Sequence, residues 1–220
     1  MAPRPGQNIS LTIIVAATAK ELGIGNAGSL PWRIKQEMQY FARVTKRVPL
    51  DSSTHIKPDS TRCNAVIMGR KTWDSIPPKF RPLKDRLNVV LSRNSEFTNA
   101  QPATSTSLAQ VRSELPTDED ATRRTATNPI RLGRVFVIGG ASVYHTALQL
   151  PQTKHILLTK VHKEFDCDTH FPLNLGSREA IESGWLQKSK GELESFIGED
   201  LPDVLEEEGV KFEYCLYERG

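Results

Sequence analysis

Arg134-Val135-Phe136-Val137-Ile138-Gly139-Gly140-Ala141-Ser142-Val143-Tyr144-His145-Thr146-Ala147-Leu148-Gln149-Leu150-Pro151 is the stretch that decides the fold. A β-branched run ends at a glycine pair, and a helix-like segment follows until Pro151 stops it. A run that is apolar at successive rather than alternate positions is buried on both faces, as parallel strands are. Comparable runs occur at 11–17, 65–68, 87–92, 155–161 and 212–216, beside the one at 134–138. Helix-like stretches follow the runs at 11–17, 65–68 and 134–138. Of them, 32–45 is the clearest: Ile34, Met38, Phe41 and Val44 recur at spacings of four and three, just after Pro31. Strands alternating with such crossovers read as an α/β sheet covered by helices on both sides.

Outward from that pattern, 220 residues suit one core, so 1–220 is expected to be a single domain. Charged residues make up 25% of the chain and the net charge is +3, which excludes a disordered polyelectrolyte or a dedicated nucleic-acid binder. No apolar run approaches the roughly 18 to 20 residues that span a bilayer. Ser10 and Thr12 interrupt the apolar run behind Arg4, so it reads as a strand and not as a secretory signal. Cys63, Cys167 and Cys215 form no CxxC pair, and reduced thiols in the cytoplasm are expected. Two polar stretches, 49–62 and 113–134, read as surface loops, the second as an insertion. The stretch 192–208 carries eight carboxylates and no Lys or Arg, and reads as a solvated loop and helix face.

Chemistry concentrates elsewhere. Between Arg70 and Arg93 seven basic residues face only Asp74 and Asp85. In open α/β sheets anionic ligands bind beyond the carboxyl ends of strands, where helix N-termini and backbone N–H groups favour phosphate. Three segments offer that arrangement: Met68-Gly69-Arg70-Lys71-Thr72, Leu91-Ser92-Arg93, and Val137-Ile138-Gly139-Gly140-Ala141-Ser142-Val143. The glycine pair removes two Cβ atoms where backbone approaches something closely, or simply turns. Glu37 lies three residues after Ile34 and four before Phe41, on the edge of the apolar helix face. A Glu there is either solvated or, if it faces a pocket, a proton relay or ligand anchor whose pKa burial raises.

Other patterns fail on context. Gly23-Ile24-Gly25-Asn26-Ala27-Gly28 spells G-x-G-x-x-G, yet residues 18–22 separate it from the strand and Pro31 precedes the helix. Gly69-Arg70-Lys71-Thr72 ends like a P-loop, but Asn64 stands where the earlier glycine belongs. There is no GxSxG, HExxH or paired-cysteine zinc pattern. Asp166-Cys167-Asp168-Thr169-His170 reads as a turn, and no metal site is expected.

Together these residues resemble the dihydrofolate reductase family, of the longer eukaryotic kind. The matching stretches are Ile14-Val15-Ala16, Gly23-Ile24-Gly25, Leu30-Pro31-Trp32, 37–45, and Val66-Ile67-Met68-Gly69-Arg70-Lys71-Thr72-Trp73. They continue through Ser75-Ile76-Pro77, Arg81-Pro82-Leu83 with Arg86, Leu91-Ser92-Arg93, Val137-Ile138-Gly139-Gly140 to Tyr144, Thr159, and Asp166-Cys167-Asp168-Thr169, collinear across 11–217. Their order and joint presence carry the resemblance. It implies a central eight-stranded, mostly parallel sheet with an antiparallel C-terminal strand, flanked by about four helices. It also implies NADPH-dependent reduction of 7,8-dihydrofolate to tetrahydrofolate by a monomer, at a site where antifolate inhibitors compete.

By position, the resemblance makes Glu37 the carboxylate that binds the pteridine and assists protonation of N5, with Thr159 its hydroxyl partner and Trp32 helping to hold a water. It places Ile14, Val15, Met38, Phe41, Ser75, Ile76, Leu83, Ile138 and Tyr144 around the substrate, with Arg86 pairing the α-carboxylate of its glutamate tail. For the cofactor it implies Ala16, Ile24, Gly28, Ser29, Gly69, Arg70, Lys71, Thr72, Leu91, Ser92, Arg93, Gly139, Gly140, Ala141, Ser142, Val143 and Tyr144. A cis Gly139–Gly140 peptide is usual in the family. Met38 stands where many members carry Phe. Two other readings fit the anion sites: a reductase of another pterin-like or pyrimidine substrate, and a folate- or nucleotide-binding module. The pair Glu37 and Arg86 favours a folate with its glutamyl tail over the former, and Glu37 with Thr159 favours an enzyme over the latter.

Overall fold

Strands with apolar side chains at every position need cover on both sides, and the chain supplies it. The computed structural model describes residues 10–49, 62–93, 104–105 and 131–220. In chain order the strands are β1 (Leu11–Thr18), β2 (Gly23–Gly25), β3 (Arg62–Gly69), β4 (Arg86–Leu91), β5 (Thr104–Ser105), β6 (Arg131–Val137), β7 (Thr153–Val161), β8 (Thr169–His170), β9 (Trp185–Gln187), β10 (Leu205–Glu207) and β11 (Val210–Arg219). The helices are α1 (Lys35–Lys46), α2 (Arg70–Ser75), α3 (Ala141–Leu148), α4 (Arg178–Glu182) and α5 (Lys190–Ile197). The main sheet runs β10-β11-β7-β1-β6-β3-β4-β5, with β9 paired to β11. Strands β7, β1, β6, β3, β4 and β5 are parallel, and β11 turns antiparallel against β7, β9 and β10. The expected sheet is thus present, with five α-helices among the described residues where about four are expected.

Alternation along each strand divides the core into two layers. Ile13, Val15, Ala17, Ile67 and Val137 pack on the side of Val143, Tyr144, Ala147 and Leu148 of α3. Ile14, Val66, Met68, Phe136 and Leu157 pack on the other side, against Tyr40 and Val44 of α1 and Leu193 and Ile197 of α5. Full burial of side chains such as Ile13 and Phe136 stabilises by roughly 1.5 to 3 kcal/mol each. No helix among the described residues is long and apolar enough to cross a membrane.

Several boundaries differ from the sequence reading. Helix α1 starts at Lys35, three residues after Trp32, because Ile34 is extended and a remote carboxylate fixes the first turn. Glu207 Oε1 and Oε2 accept from the N–H groups of Lys35 and Gln36, each at 2.9 Å. Helix α3 ends at Leu148 rather than Leu150, its last turn fraying through Gln149. Residues 131–134, placed in the expected insertion, are the start of β6. There a register shift in β3 lets Asn64 Oδ1 accept from Arg134 N at 2.8 Å, and Gly133 leaves the room for it. Residues 113–130 of that insertion, and 50–61 of the other loop, lie outside the described residues.

The acidic stretch is less solvated than its charge suggests. It forms most of α5 and all of β10. Glu192 completes the Ser189 capping box, Glu194 accepts from Leu201 N at 2.8 Å, and Glu199 bridges Arg43 and Arg47 at 3.0 and 3.2 Å. Helix α4 and the short strands escape the sequence reading because segments of two to five residues are too short to show a period.

Candidate active site

Glu37 lies in the first turn of α1, where its carboxyl hydrogen-bonds with Thr159 of β7. In the sheet register, Ala16 of β1 lies beside Thr159 of β7, which in turn lies beside Tyr214 of β11. Glu37 is only 6% exposed and Thr159 2%. Burial pushes the Glu37 carboxyl up to about 7, against a smaller lowering by its hydrogen bond with Thr159. Such a group exchanges a proton near neutral pH, as a general acid or base must. Trp32 is buried beside Phe165, with ring centroids 5.4 Å apart, and its indole N–H donates to nothing among the described residues. A buried donor of this kind calls for a polar partner from a ligand or water.

Four of the expected apolar wall residues share one side of the sheet. Phe41, Ile76, Leu83 and Ile138 are partly buried and pack against the layer that contains Ile14 and Tyr40. Met38, expected among them, is half exposed at 49%, and Ser75 is exposed with its hydroxyl donating to Thr72 O at 2.7 Å. Val15 points into the α3 layer, so towards Ile14's side it presents only its backbone. Tyr144 also belongs to that layer, and its hydroxyl donates to Ile14 O at 3.0 Å, tying α3 to β1.

Arg86 begins β4, half-buried at the other end of α1. Its Nε donates to Lys84 O at 3.0 Å and its Nη1 to the Thr45 hydroxyl at 2.7 Å, with Phe41 5.9 Å below the guanidinium. Asp85 pairs instead with Lys46 at 3.0 Å. Among the described residues no carboxylate forms an ion pair with Arg86, on which Asp85 acts only through its charge. Sequence reasoning passed over both Thr45 and Asn88, which organise this corner.

The three anion-suited segments converge because β6, β3 and β4 are neighbours and parallel, so their carboxyl ends share one edge. Gly69 N donates to Gly139 O at 2.8 Å, and a Cβ on Gly139 or Gly140 would meet the Thr72 hydroxyl at 3.5 or 3.4 Å. The Gly139–Gly140 peptide is cis, and Gly139 takes a φ of +119° that glycine alone adopts comfortably. No side chain caps α3; the Val143 N–H donates to Gly140 O at 2.9 Å, which leaves the first N–H groups, at Ala141 and Ser142, available to an anion. Lys71 and Arg93 are exposed, Ser92 is buried, Leu91 is partly buried, and Arg70 contacts Asp74 at 3.4 Å.

The 23–29 segment lies beside β1 and is held by the 164–170 segment. Strand β2 pairs with β8, Asp168 Oδ2 accepts from Ala27 N at 2.9 Å, and Asn26 donates to Asp166 O at 2.8 Å. Ile24 packs on the α3 layer near half-buried Ala16, while Gly28, at a φ of +75°, and Ser29 are exposed on the outer turn. The acidic cluster 166–170 therefore acts as a clasp for backbone. Two surface hollows, one lined by Lys188, Glu213 and Tyr214 and the other by His155, Phe196 and Glu218, hold none of the candidate residues.

Comparison with known proteins agrees with this geometry. The profile of the family described as Dihydrofolate reductase matches residues 10–188. The dihydrofolate reductase of Pneumocystis carinii is 38% identical over 216 residues, covering 97% of this chain and 98% of the relative. That of Schizosaccharomyces pombe is 39% identical over 218 residues, covering 94% of this chain and 46% of the relative, so the chain spans about half of that protein's length. Among solved structures, Schistosoma mansoni dihydrofolate reductase matches with a TM-score of 0.68 and 31% identity, covering 96% of this chain and 99% of its own. By profile, sequence and fold alike, the chain belongs to the dihydrofolate reductase family.

Proposed function

We propose that the chain reduces 7,8-dihydrofolate to 5,6,7,8-tetrahydrofolate with NADPH, as a single-domain monomer of the cytoplasm that supplies reduced folate to one-carbon metabolism. The observation that carries this reading is Glu37, a carboxyl only 6% exposed that hydrogen-bonds with Thr159 and is pushed up to about 7 by burial. Reduction of the C6–N5 double bond needs a hydride at C6 and a proton at N5, and no nucleophile. Glu37 anchors the pterin's amino group and ring nitrogen and raises the supply of protons towards N5, with water as carrier. Thr159 orients the carboxyl, and the Trp32 N–H holds the water. Phe41, Ile76, Leu83 and Ile138 exclude bulk solvent, and Arg86 takes the glutamate tail as a bidentate ion pair. Antifolates that mimic the pterin compete for the same anchor.

The phosphate edge fits a dinucleotide phosphate: glycines remove Cβ atoms where the diphosphate must approach, α3 presents uncapped N–H groups, and Lys71 and Arg93 supply charge. When bound there, NADPH supplies the hydride. Arg70, Lys71, Thr72, Ser92 and Arg93 hold its phosphates, with Gly69, Leu91 and Gly139 to Tyr144 lining the path and Ala16, Ile24, Gly28 and Ser29 closing over the nicotinamide. The three cysteines, with no CxxC pair, suit a reducing compartment.

Purified protein mixed with NADPH and dihydrofolate should lower near-ultraviolet absorbance only when both are present; binding without turnover would leave a folate-binding module. Arg93→Ala should narrow the preference for NADPH over NADH by roughly tenfold or more, the value of one charge-assisted contact to the 2′-phosphate. An unchanged ratio would remove Arg93 from that role.

A further inference from the structure

The hydrogen-bond partners of Arg86 are neutral groups, the Lys84 carbonyl and the Thr45 hydroxyl, and the one carboxylate that acts on it, Asp85, makes its ion pair with Lys46. Thr45, fully buried at the end of α1, donates its hydroxyl proton to Phe41 O at 2.6 Å, so the same oxygen can only accept from Arg86 Nη1. The Thr45 carbonyl is fixed in turn by Asn64 Nδ2 at 2.9 Å. Asn88 secures the backbone from which Arg86 projects. Its Oδ1 accepts from Leu83 N, and its Nδ2 donates to Leu83 O and to Arg86 O, all at 2.9 Å. Every hydrogen-bonding group of the Asn88 amide except one lone pair is thereby used, and the residue is 2% exposed. The loop it closes contains Asp85 at a φ of +62°, a backbone state unusual for a residue with a side chain.

We infer that Thr45 and Asn88 are positioning residues for substrate binding, which fix Arg86 with the outer edge of its guanidinium open to a carboxylate; the inference rests on the proposed role of Arg86. With Nε bound to Lys84 O and one Nη1 hydrogen bound to Thr45, the second Nη1 hydrogen and both on Nη2 have no protein acceptor among the described residues. Those three donors suffice for an end-on, bidentate carboxylate pair. The cation keeps its full charge for the substrate because no protein carboxylate among the described residues neutralises it. Its long side chain also loses little further freedom on binding, because the rotamer is already chosen.

Thr45→Val keeps volume and removes the acceptor. It should raise KM for dihydrofolate about tenfold while kcat stays within about twofold, since the lost hydrogen bond is to a charged group remote from the reacting atoms. Thr45→Ser should restore KM. In an Arg86→Leu background, Thr45→Val should add nothing, and neither variant should change KM for a 7,8-dihydropterin that lacks the glutamate tail. An unchanged KM in Thr45→Val, or an equal increase in the Arg86→Leu background, overturns the inference while leaving Arg86 in place. No increase in KM from Arg86→Leu itself overturns the assignment of Arg86 and this inference with it. Should Thr45→Val not fold, Asn88→Asp carries the same test: it keeps the acceptor for Leu83 N, loses the donors to Leu83 O and Arg86 O, and should show the same split between KM and kcat.

Discussion

Glu37→Gln should slow hydride transfer to dihydrofolate at pH 7 by about two to four orders of magnitude, the usual contribution of a positioned acid or base, while leaving NADPH affinity unchanged. The amide keeps the shape and can still hydrogen-bond the pterin, but it has no exchangeable carboxyl proton. Wild-type rate should fall as pH rises through about 7, where Glu37 loses its proton, and the variant should lack that titration. Pre-steady-state rates between pH 5 and 9 are the measurement; a wild-type rate independent of pH, or turnover unaltered in the variant, would take Glu37 out of the mechanism.

The same residue has a cost in stability with a definite sign. Its folded pKa, about 7, lies above the ordinary 4.5, so the folded state binds the proton more tightly than the unfolded chain does. The associated stability is fully present below pH 4.5 and is lost as pH rises through about 7. A rise of that size corresponds to a difference on the order of 3 kcal/mol between the two ends of the window. Glu37→Gln, neutral at all pH values, should therefore be more stable than wild type at pH 8 and closer to it at pH 5. Urea midpoints at the two pH values test this; a variant equally destabilised at both would mean that the carboxylate is not isolated from solvent as its burial requires.

Arg86→Leu is expected to weaken dihydrofolate binding by roughly 1.5 to 3 kcal/mol, the range for a hydrogen bond to a charged group. Leucine keeps the apolar contact with Phe41 but leaves the substrate carboxylate in a half-buried corner without its cation. The loss should appear in KM and dissociation constant, and should be absent for a pterin without the glutamate tail, because nothing else in that substrate reaches β4. An equal loss for both substrates would show that the substitution disturbs the pocket as a whole.

The α/β class was legible because strands buried on two faces must be apolar throughout, as 11–17, 65–68 and 155–161 are, and because Pro151 and the glycine pair punctuate the chain locally. The phosphate edge was legible for the same reason: the residues after three parallel strands must lie at one end of a sheet once the strands are neighbours. Local pattern could not reveal that residues 131–134 are strand. Their place is set by pairing with β3 and by Asn64, a buried amide distant in sequence. Nor could it show that Met38, on the apolar stripe of α1, ends half exposed while Glu37 beside it is buried.

By itself, then, the amino-acid order determined the longer strands and the helices between them, where the basic residues gather, and that Glu37 stands at the edge of a greasy helix face. Only the tertiary structure decided what that carboxyl is worth, because its pKa depends on desolvation by burial and on Thr159, 122 positions further along the chain. It likewise decided where α1 begins, through Glu207 at a separation of 172 residues, and how Arg86 is aimed, through Thr45 at a separation of 41. Charge, burial and hydrogen-bond direction are properties of neighbours in space, and a chain acquires those neighbours only when it folds.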